Sequence, residues 1–292
     1  MNKQEEGIIL CGIGGQYTVD LGTEVLRCRA GGRLRLLSDP PVAGDRVLVE
    51  RVAGQGYMVA LLPRKNALKR PAVANIDRLC ILVSAAPPVT DLLTVDKLTV
   101  AALAQKIEPV ILVAKCDLEP GDDLADIYRK AGFLVLSVSA VSGEGQAELH
   151  VLLSRGISAF AGNSGVGKSS LLNALDSSFC LRTGDISRID RGRHTTRSAS
   201  LLHLPSGGYA VDTPGFSAFD PFADIRVEPL QLQYLFPEIG KMFGGCRFSD
   251  CLHRAEPNCA VRAAAEDGEI PQSRYESYLT LLGELETYPR WQ

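Results

Sequence analysis

The run Gly162-Asn163-Ser164-Gly165-Val166-Gly167-Lys168-Ser169 decides the fold class of this chain. Just upstream, Ile157-Ser158-Ala159-Phe160-Ala161 is short and apolar, the pattern of a buried strand. Just downstream, Ser170-Leu171-Leu172-Asn173-Ala174-Leu175 has the composition of a helix start. A strand, a GxxxxGKS loop and a helix in that order make a phosphate-binding unit. The glycines let the backbone curl so that successive N–H groups face an anion. The helix N-terminus adds the positive end of its dipole. Lys168 supplies charge for the outer phosphates, and the Ser169 hydroxyl suits Mg²⁺. The candidate phosphate contacts are therefore Gly162, Asn163, Ser164, Gly165, Val166, Gly167, Lys168, Ser169 and Ser170.

Further along, Tyr209-Ala210-Val211-Asp212-Thr213-Pro214-Gly215 reads as a strand ending in DxxG. Asp212 at such a strand end can hold Mg²⁺ through water, and the Gly215 N–H can meet a γ-phosphate. Between the two motifs, residues 182–197 are rich in Arg, Gly, Ser and Thr. A Thr hydroxyl from a loop so placed can complete the Mg²⁺ shell beside Ser169 and Asp212, which makes Thr195 and Thr196 the candidates. An ordinary surface loop is the alternative.

The base-reading signal lies before the phosphate loop. Ala114-Lys115-Cys116-Asp117 follows the apolar run Val110–Val113 and has the form of an N-K-x-D motif with its first residue changed. Asp117 would accept two hydrogen bonds from the N1–H and 2-amino group of guanine. Adenine has no such donors, and an unpaired buried group costs about 1–3 kcal/mol, so the carboxylate discriminates. The Lys115 stem would cover the base. Ser137-Val138-Ser139-Ala140 follows another strand, and its Ser139-Ala140 turn would support the guanine carbonyl. The motifs thus run base, base, phosphate, switch, Asp-Thr-Pro-Gly, a circular permutation of the usual order. Such a permutation costs little where chain ends lie at the surface close together.

Residue 216, directly after DxxG, is Phe, which cannot orient a water. Another group must do so, or intrinsic hydrolysis is slow. Further on, Cys246, Cys251, His253 and Cys259 give C-x4-C-x-H-x5-C, and three thiolates with one imidazole suit a closed, structural Zn²⁺ site. Buried cysteines packed as small apolar residues are the alternative. Cys11, Cys28, Cys80 and Cys180 are expected to serve packing.

At 292 residues, with 46% hydrophobic and 22% charged side chains, the chain has room for two or three globular domains. Its net charge of −3 confines any nucleic-acid contact to local patches, such as Arg64, Lys65, Lys69 and Arg70. The polar start Met1–Glu6 has no secretory pattern, no run approaches a membrane span, and eight cysteines without a secretory leader point to reduced thiols or a metal. A cytoplasmic protein is expected, with no membrane partner. Nothing suggests an obligate dimer, so a monomer is expected. Short alternating segments broken by glycine pairs predict an OB-type β-barrel over 1–62. Pro63 to Pro71 reads as a basic linker. Residues 63–225 alternate buried strands with helices and predict an α/β domain with a mainly parallel sheet. Residues 226–292 read as a helical, zinc-binding domain.

These motifs together give the chain its resemblance to bacterial circularly permuted GTPases of the ribosome-assembly type, the ribosome small-subunit-dependent GTPase A family. The resemblance runs nearly end to end. It includes Asn75-Ile76-Asp77, the loop at Gly162 with its helix, Arg191-Gly192-Arg193-His194-Thr195-Thr196, Asp212 to Phe216, and the Cys/His cluster. It implies slow GTP hydrolysis with GTP/GDP, Mg²⁺ and one structural Zn²⁺. It also implies stimulation by the small ribosomal subunit and its rRNA, and a late checkpoint role in that subunit's maturation. It nominates His194 to position the attacking water. Lys168, Thr195 and Thr196 complete the candidate catalytic set. Arg191 and Arg193 are candidate arginine fingers, with RNA contact or plain solvation as alternatives. One departure stands out: the family carries Asn at the position of Ala114. That Asn contacts guanine and braces the phosphate loop, and Ala114 can do neither. An ATP-using P-loop enzyme and a nucleotide-bound RNA scaffold with scant turnover are the rival readings. Competition between GTP and ATP separates the first, and phosphate release with and without small subunits separates the second.

Overall fold

The computed structural model describes residues 3–32, 34, 39–69, 71–176, 199–212 and 227–287. The chain opens with β1 (Gln4–Ile13), β2 (Gln16–Asp20), β3 (Val25–Ala30), β4 (Arg46–Val52) and β5 (Gln55–Leu61). They close a barrel in the order β1-β2-β3-β5-β4, with β4 returning to β1. Only the β3–β5 pair is parallel, which gives the OB-type topology the turn spacing predicts. Alternating side chains, among them Ile9, Val19, Cys28, Val47, Val49 and Met58, fill the inside. Gly56 permits the parallel pairing, since a Cβ there would lie 2.6 Å from Cys28 Sγ.

The stretch read as a linker is instead an ordered wedge. β6 (Ala67–Lys69) and β7 (Ala72–Ala74) form a hairpin. The Asn66 amide donates to Ile76 O at 2.8 Å, and Asn75 donates to Gly44 O at 2.9 Å. Arg64 grips the buried carboxylate of Asp45 through Nε (2.7 Å) and Nη2 (2.8 Å), and Lys65 pairs with Asp77. Prolines and cations suggested solvated chain, but distant carboxylates and amides tie these residues down. Arg64 and Lys65 are therefore ion-paired and do not form a free basic patch.

Six strands make the central sheet: β8 (Arg78–Val83), β9 (Glu108–Ala114), β10 (Leu134–Val138), β11 (Ile157–Ala161), β12 (Ser200–His203) and β13 (Tyr209–Asp212). Their order is β10-β9-β8-β11-β13-β12, parallel except for the edge strand β12. The continuous apolar runs follow from burial on both faces. Along β8, Leu79, Ile81 and Val83 face a core shared with α1 (Leu92–Ala104) and α2 (Asp122–Lys130). Cys80 and Leu82 face a second core with α3 (Gln146–Leu153) and α4 (Lys168–Leu175). Burial pushes the Cys80 thiol up to about 12, consistent with inert packing. Cys28 is likewise buried, Cys11 is half-exposed, and Cys180 lies outside the described residues.

The C-terminal unit consists of α5 (Pro229–Leu232), a 3-10 turn at Gln233–Leu235, α6 (Pro237–Gly240), α7 (Ala260–Glu266) and α8 (Gln272–Thr287). Its core includes Val100 from α1. Arg274 on α8 is fully buried and reaches Asp96 Oδ1 on α1 and Glu238 Oε1 on α6, each at 2.6 Å. The rings of Phe236, Phe133 and Tyr128 surround its guanidinium, with centroids 4.5, 5.3 and 5.8 Å away. Burial alone would lower the guanidinium pKa, but Asp96 and Glu238 more than reverse that, and it stands above the ordinary arginine value. Tyr209, which begins β13, ties the barrel to the sheet by donating to Asp20 Oδ2 at 3.0 Å.

A buried pair broken on one side is costly. Arg274→Ala should lower unfolding free energy by about 3–5 kcal/mol, read by urea titration. A variant that also replaces Asp96 with Asn and Glu238 with Gln should regain part of that loss. A change below about 1 kcal/mol in the single variant would contradict the assignment.

Candidate functional site

From β8 the chain builds the sheet outward through β9 to β10. It then returns beside β8 and builds the other way, through β11 and β13. The β8/β11 boundary is a topological switch point, and the carboxyl ends of strands there form a crevice suited to a ligand. The loop after β11 is the Gly162 motif. Gly162, Gly165 and Gly167 have φ of 151°, 78° and 104°, and each sits against the neighbouring motif or strand. A Cβ on Gly162 would lie 2.9 Å from Leu82 O, and one on Gly165 would lie 3.2 Å from Pro88 Cγ. A Cβ on Gly167 would meet the Lys115 stem at 3.9 Å. Glycine at all three positions keeps the loop narrow enough for its N–H groups to converge.

Lys168 opens α4 and lies largely buried, its Nζ 3.4 Å from Gly162 O. Burial lowers its pKa, and a phosphate placed there would reverse the effect. Ser169 and Ser170 occupy the first turn of the same helix. β13 is the other parallel neighbour of β11, so its last residue, Asp212, reaches the same edge of the sheet. His194, Thr195, Thr196 and Gly215 lie outside the described residues, as do Arg191, Arg193 and Phe216.

The base motif arrives from the other side. β9 pairs in register with β10 to Ala114 and Val138, and both strands deliver their loops to this crevice. Lys115 has a φ of 61°, which turns its side chain along the phosphate loop, and its Nζ donates to Pro87 O at 2.9 Å. Asp117 Oδ1 accepts from Ser139 Oγ at 2.6 Å, while Ser139 is itself buried and accepts from the N–H groups of Val141 and Ser142. Ala140 continues that turn. The Cys116 thiol, between Lys115 and Asp117, is pushed up to about 11 by burial and by Glu144, so it is no ready nucleophile. Ala114 is 4% exposed and packs in the apolar cluster that contains Val166.

Sequence reasoning missed the loop after β8. Ser84 N donates to Thr90 Oγ1 at 2.9 Å, Ser84 Oγ donates to Ala86 O at 2.9 Å, and both side chains are buried. This pinned loop presents Pro87 O to Lys115 and Pro88 to Gly165. Its signal was the Ala85-Ala86-Pro87-Pro88 stop after an apolar run, which marks a turn without saying what the turn holds.

The Cys/His cluster forms a second site. The four ligand atoms of Cys246, Cys251, His253 and Cys259 lie within 4.8 Å of one another. Cys246 Sγ is 3.6 Å from His253 Nδ1 and 3.9 Å from Cys259 Sγ, and Cys259 Sγ is 3.4 Å from Nδ1. Tetrahedral bonds of about 2.0–2.3 Å to zinc place ligand atoms roughly 3.5–3.8 Å apart, so the donor set fits that ion. His253 Nε2 lies 3.1 Å from Gln233 Oε1, whose amide NH₂ is fixed by Leu230 O at 2.9 Å. Gln233 thus holds the ring with Nδ1 turned to the thiols. Burial pushes the Cys251 thiol up to about 12, so ion binding must displace its proton.

Comparison with known proteins gives the family of this fold. The RsgA GTPase family profile matches residues 61–222, and the RsgA N-terminal domain profile matches residues 6–58. A relative from Caldanaerobacter subterraneus subsp. tengcongensis, named small ribosomal subunit biogenesis GTPase RsgA, is 44% identical over 96% of this chain and 95% of its own. Its counterpart of the same name in Moorella thermoacetica is 45% identical over 96% and 97%. Among solved structures, YloQ, described as a circularly permuted GTPase, superposes with a TM-score of 0.82 at 33% identity, covering 99% of this chain and 98% of that one. YjeQ from Thermotoga maritima gives 0.81 at 36% identity, over 98% and 100%.

Thr90→Val removes the acceptor that pins the loop after β8. It should weaken GDP and GTP binding together by about fivefold, measured with a fluorescent nucleotide, and Thr90→Ser should restore it. Unchanged binding in Thr90→Val would contradict the role given to the loop. Treatment with a chelator should release one zinc per chain and unfold the C-terminal core, with apparent zinc affinity rising with pH as thiols lose protons. An unchanged thermal transition after chelation would contradict a structural ion.

Proposed function

This chain belongs to the RsgA GTPase family, and from that membership we propose that it is a late maturation and checkpoint factor of the small ribosomal subunit. It is a GTP-hydrolysing enzyme. In the proposed cycle, Asp117 selects guanine while Lys115 covers the base, and the Ser139-Ala140 turn supports the guanine carbonyl. The N–H groups of Gly162 to Ser170 and the Lys168 ammonium hold the phosphates. Ser169, Asp212 and Thr196 would hold Mg²⁺, which would supply charge neutralisation at the transferring phosphate. Gly215 would meet the γ-phosphate, Thr195 is the other candidate hydroxyl beside Thr196 in sequence, and His194 would position the water.

The observation that carries this reading is the fit of Lys115 between two motifs distant in sequence. Its stem lies on Gly167 of the phosphate loop, and two residues later Asp117 is set by Ser139. That juxtaposition supports a single nucleotide spanning the two motifs. Phe216 offers the water no hydrogen bond, which argues for low basal turnover and for a partner that completes the site. The small subunit and its rRNA are the proposed partner, with the chain acting as a monomer in the cytoplasm. No helix among the described residues is long and apolar enough to cross a membrane.

Phosphate release from GTP, with and without purified small subunits, tests the proposal. Positioning of the water on docking should raise kcat by on the order of 10²-fold, with ATP not hydrolysed. Tight binding to subunits with no rise in turnover would instead favour a nucleotide-bound RNA scaffold.

A further inference from the structure

The exposed phenylalanine and tyrosine side chains among the described residues all lie in one stretch of the C-terminal unit. Tyr234 is 53% exposed, Phe243 66% and Phe248 42%. Single exposed apolar residues are ordinary on a protein surface, but three planar rings within one short stretch are not. Tyr234 and Phe243 are in contact, with ring centroids 5.7 Å apart and planes inclined by 49°. Phe243 and Phe248 bracket Cys246 in sequence, so an ion held by the Cys/His cluster would tether the segment that carries both rings.

The charges beside them are unusual for this unit. Arg254 pairs with Glu286, Arg262 with Glu266, and Arg274 with Asp96 and Glu238. Arg247 has no carboxylate partner among the described residues, and its guanidinium lies 5.5 Å over the Phe248 ring. Flat π-faces with an unpaired guanidinium over one of them match one chemistry closely. Unpaired nucleotides offer a base to stack on a ring and a phosphate to meet a guanidinium. Paired bases would bury those faces in their own helix.

We propose that Tyr234, Phe243, Phe248 and Arg247 form a platform that stacks unpaired RNA nucleotides, with the metal cluster as its scaffold. The proposal rests on the small-subunit reading for the source of that RNA.

The test uses the zinc-loaded full chain, a fluorescent oligouridylate, an RNA duplex of equal length, and purified small subunits. The double variant Phe243→Leu, Phe248→Leu keeps apolar bulk and removes the π-faces. It should bind oligouridylate at least about tenfold more weakly, with duplex binding, zinc content and basal GTP turnover unchanged and small-subunit affinity reduced. Arg247→Gln should flatten the slope of log affinity against log salt by roughly 0.7. Oligouridylate binding by the double variant within about twofold of wild type, or none by wild type, would overturn the platform. Loss of subunit binding alone, with oligouridylate binding intact, would overturn it in favour of a protein partner. A wild-type chain that binds oligouridylate through these rings but ignores small subunits would overturn the small-subunit reading and leave the platform standing.

Discussion

The site depends on the alignment of three strand ends. Because β8, β9 and β11 run parallel, their carboxyl ends open on one edge, and the loops that follow them meet there. Lys115 is the contact that turns this meeting into a site. Its stem lies along the phosphate loop at Gly167 and its ammonium is held by Pro87 O. Glycines at 162 and 165 allow the close approach of the loop to Leu82 and Pro88, and Gly167 supplies the positive φ that opens α4. The order in which the chain visits the strands does not enter this geometry. Only adjacency in the sheet does, which is why a permuted chain can assemble the same nucleotide crevice.

Permutation does change what is attached to the site. The chain enters the sheet from the barrel through the Asn66/Asn75 wedge, and the barrel also grips β13 through the Asp20–Tyr209 bond. β13 ends at Asp212, so the barrel touches the strand that leads to the Asp-Thr-Pro-Gly motif. On the far side, Arg274 and the Lys97–Glu284 pair bind α8 to α1. Rotating the C-terminal unit alone would strip a buried guanidinium of Asp96, which is costly. The barrel contact therefore ties a flanking unit directly to a strand that reaches the nucleotide crevice.

The phosphate loop and its strand were legible because local residues determine them: β11 spans Ile157–Ala161, as its apolar run indicates. The two-faced burial of β8 and β9 was also written in continuous apolar runs, and the barrel in its turn spacing. The Cys/His spacing marked the cluster, but Gln233, which orients His253, carries no such mark. Three features stayed hidden for one reason. Arg64 in the wedge, Thr90 in the loop after β8 and Arg274 in the core draw their meaning from partners that only the fold supplies. For Arg274, Asp96 lies 178 residues away in sequence. Read locally, a cation on a helix belongs in water.

If Asp117 and Lys168 serve opposite ends of one guanine nucleotide, substitution at each should change affinity in a different way. Substituting Asp117→Asn replaces an acceptor of N–H donors with an amide that can donate, which suits the 2-oxo group of xanthine. The most direct measurement is the affinity of Asp117→Asn for GDP and for xanthosine diphosphate, with Lys168→Ala alongside. Asp117→Asn is expected to exchange GDP for xanthosine diphosphate, by at least about tenfold in each direction, while Lys168→Ala weakens both. An Asp117→Asn protein that still prefers GDP as the wild type does would show that residue 117 does not read the base, and the account would fail.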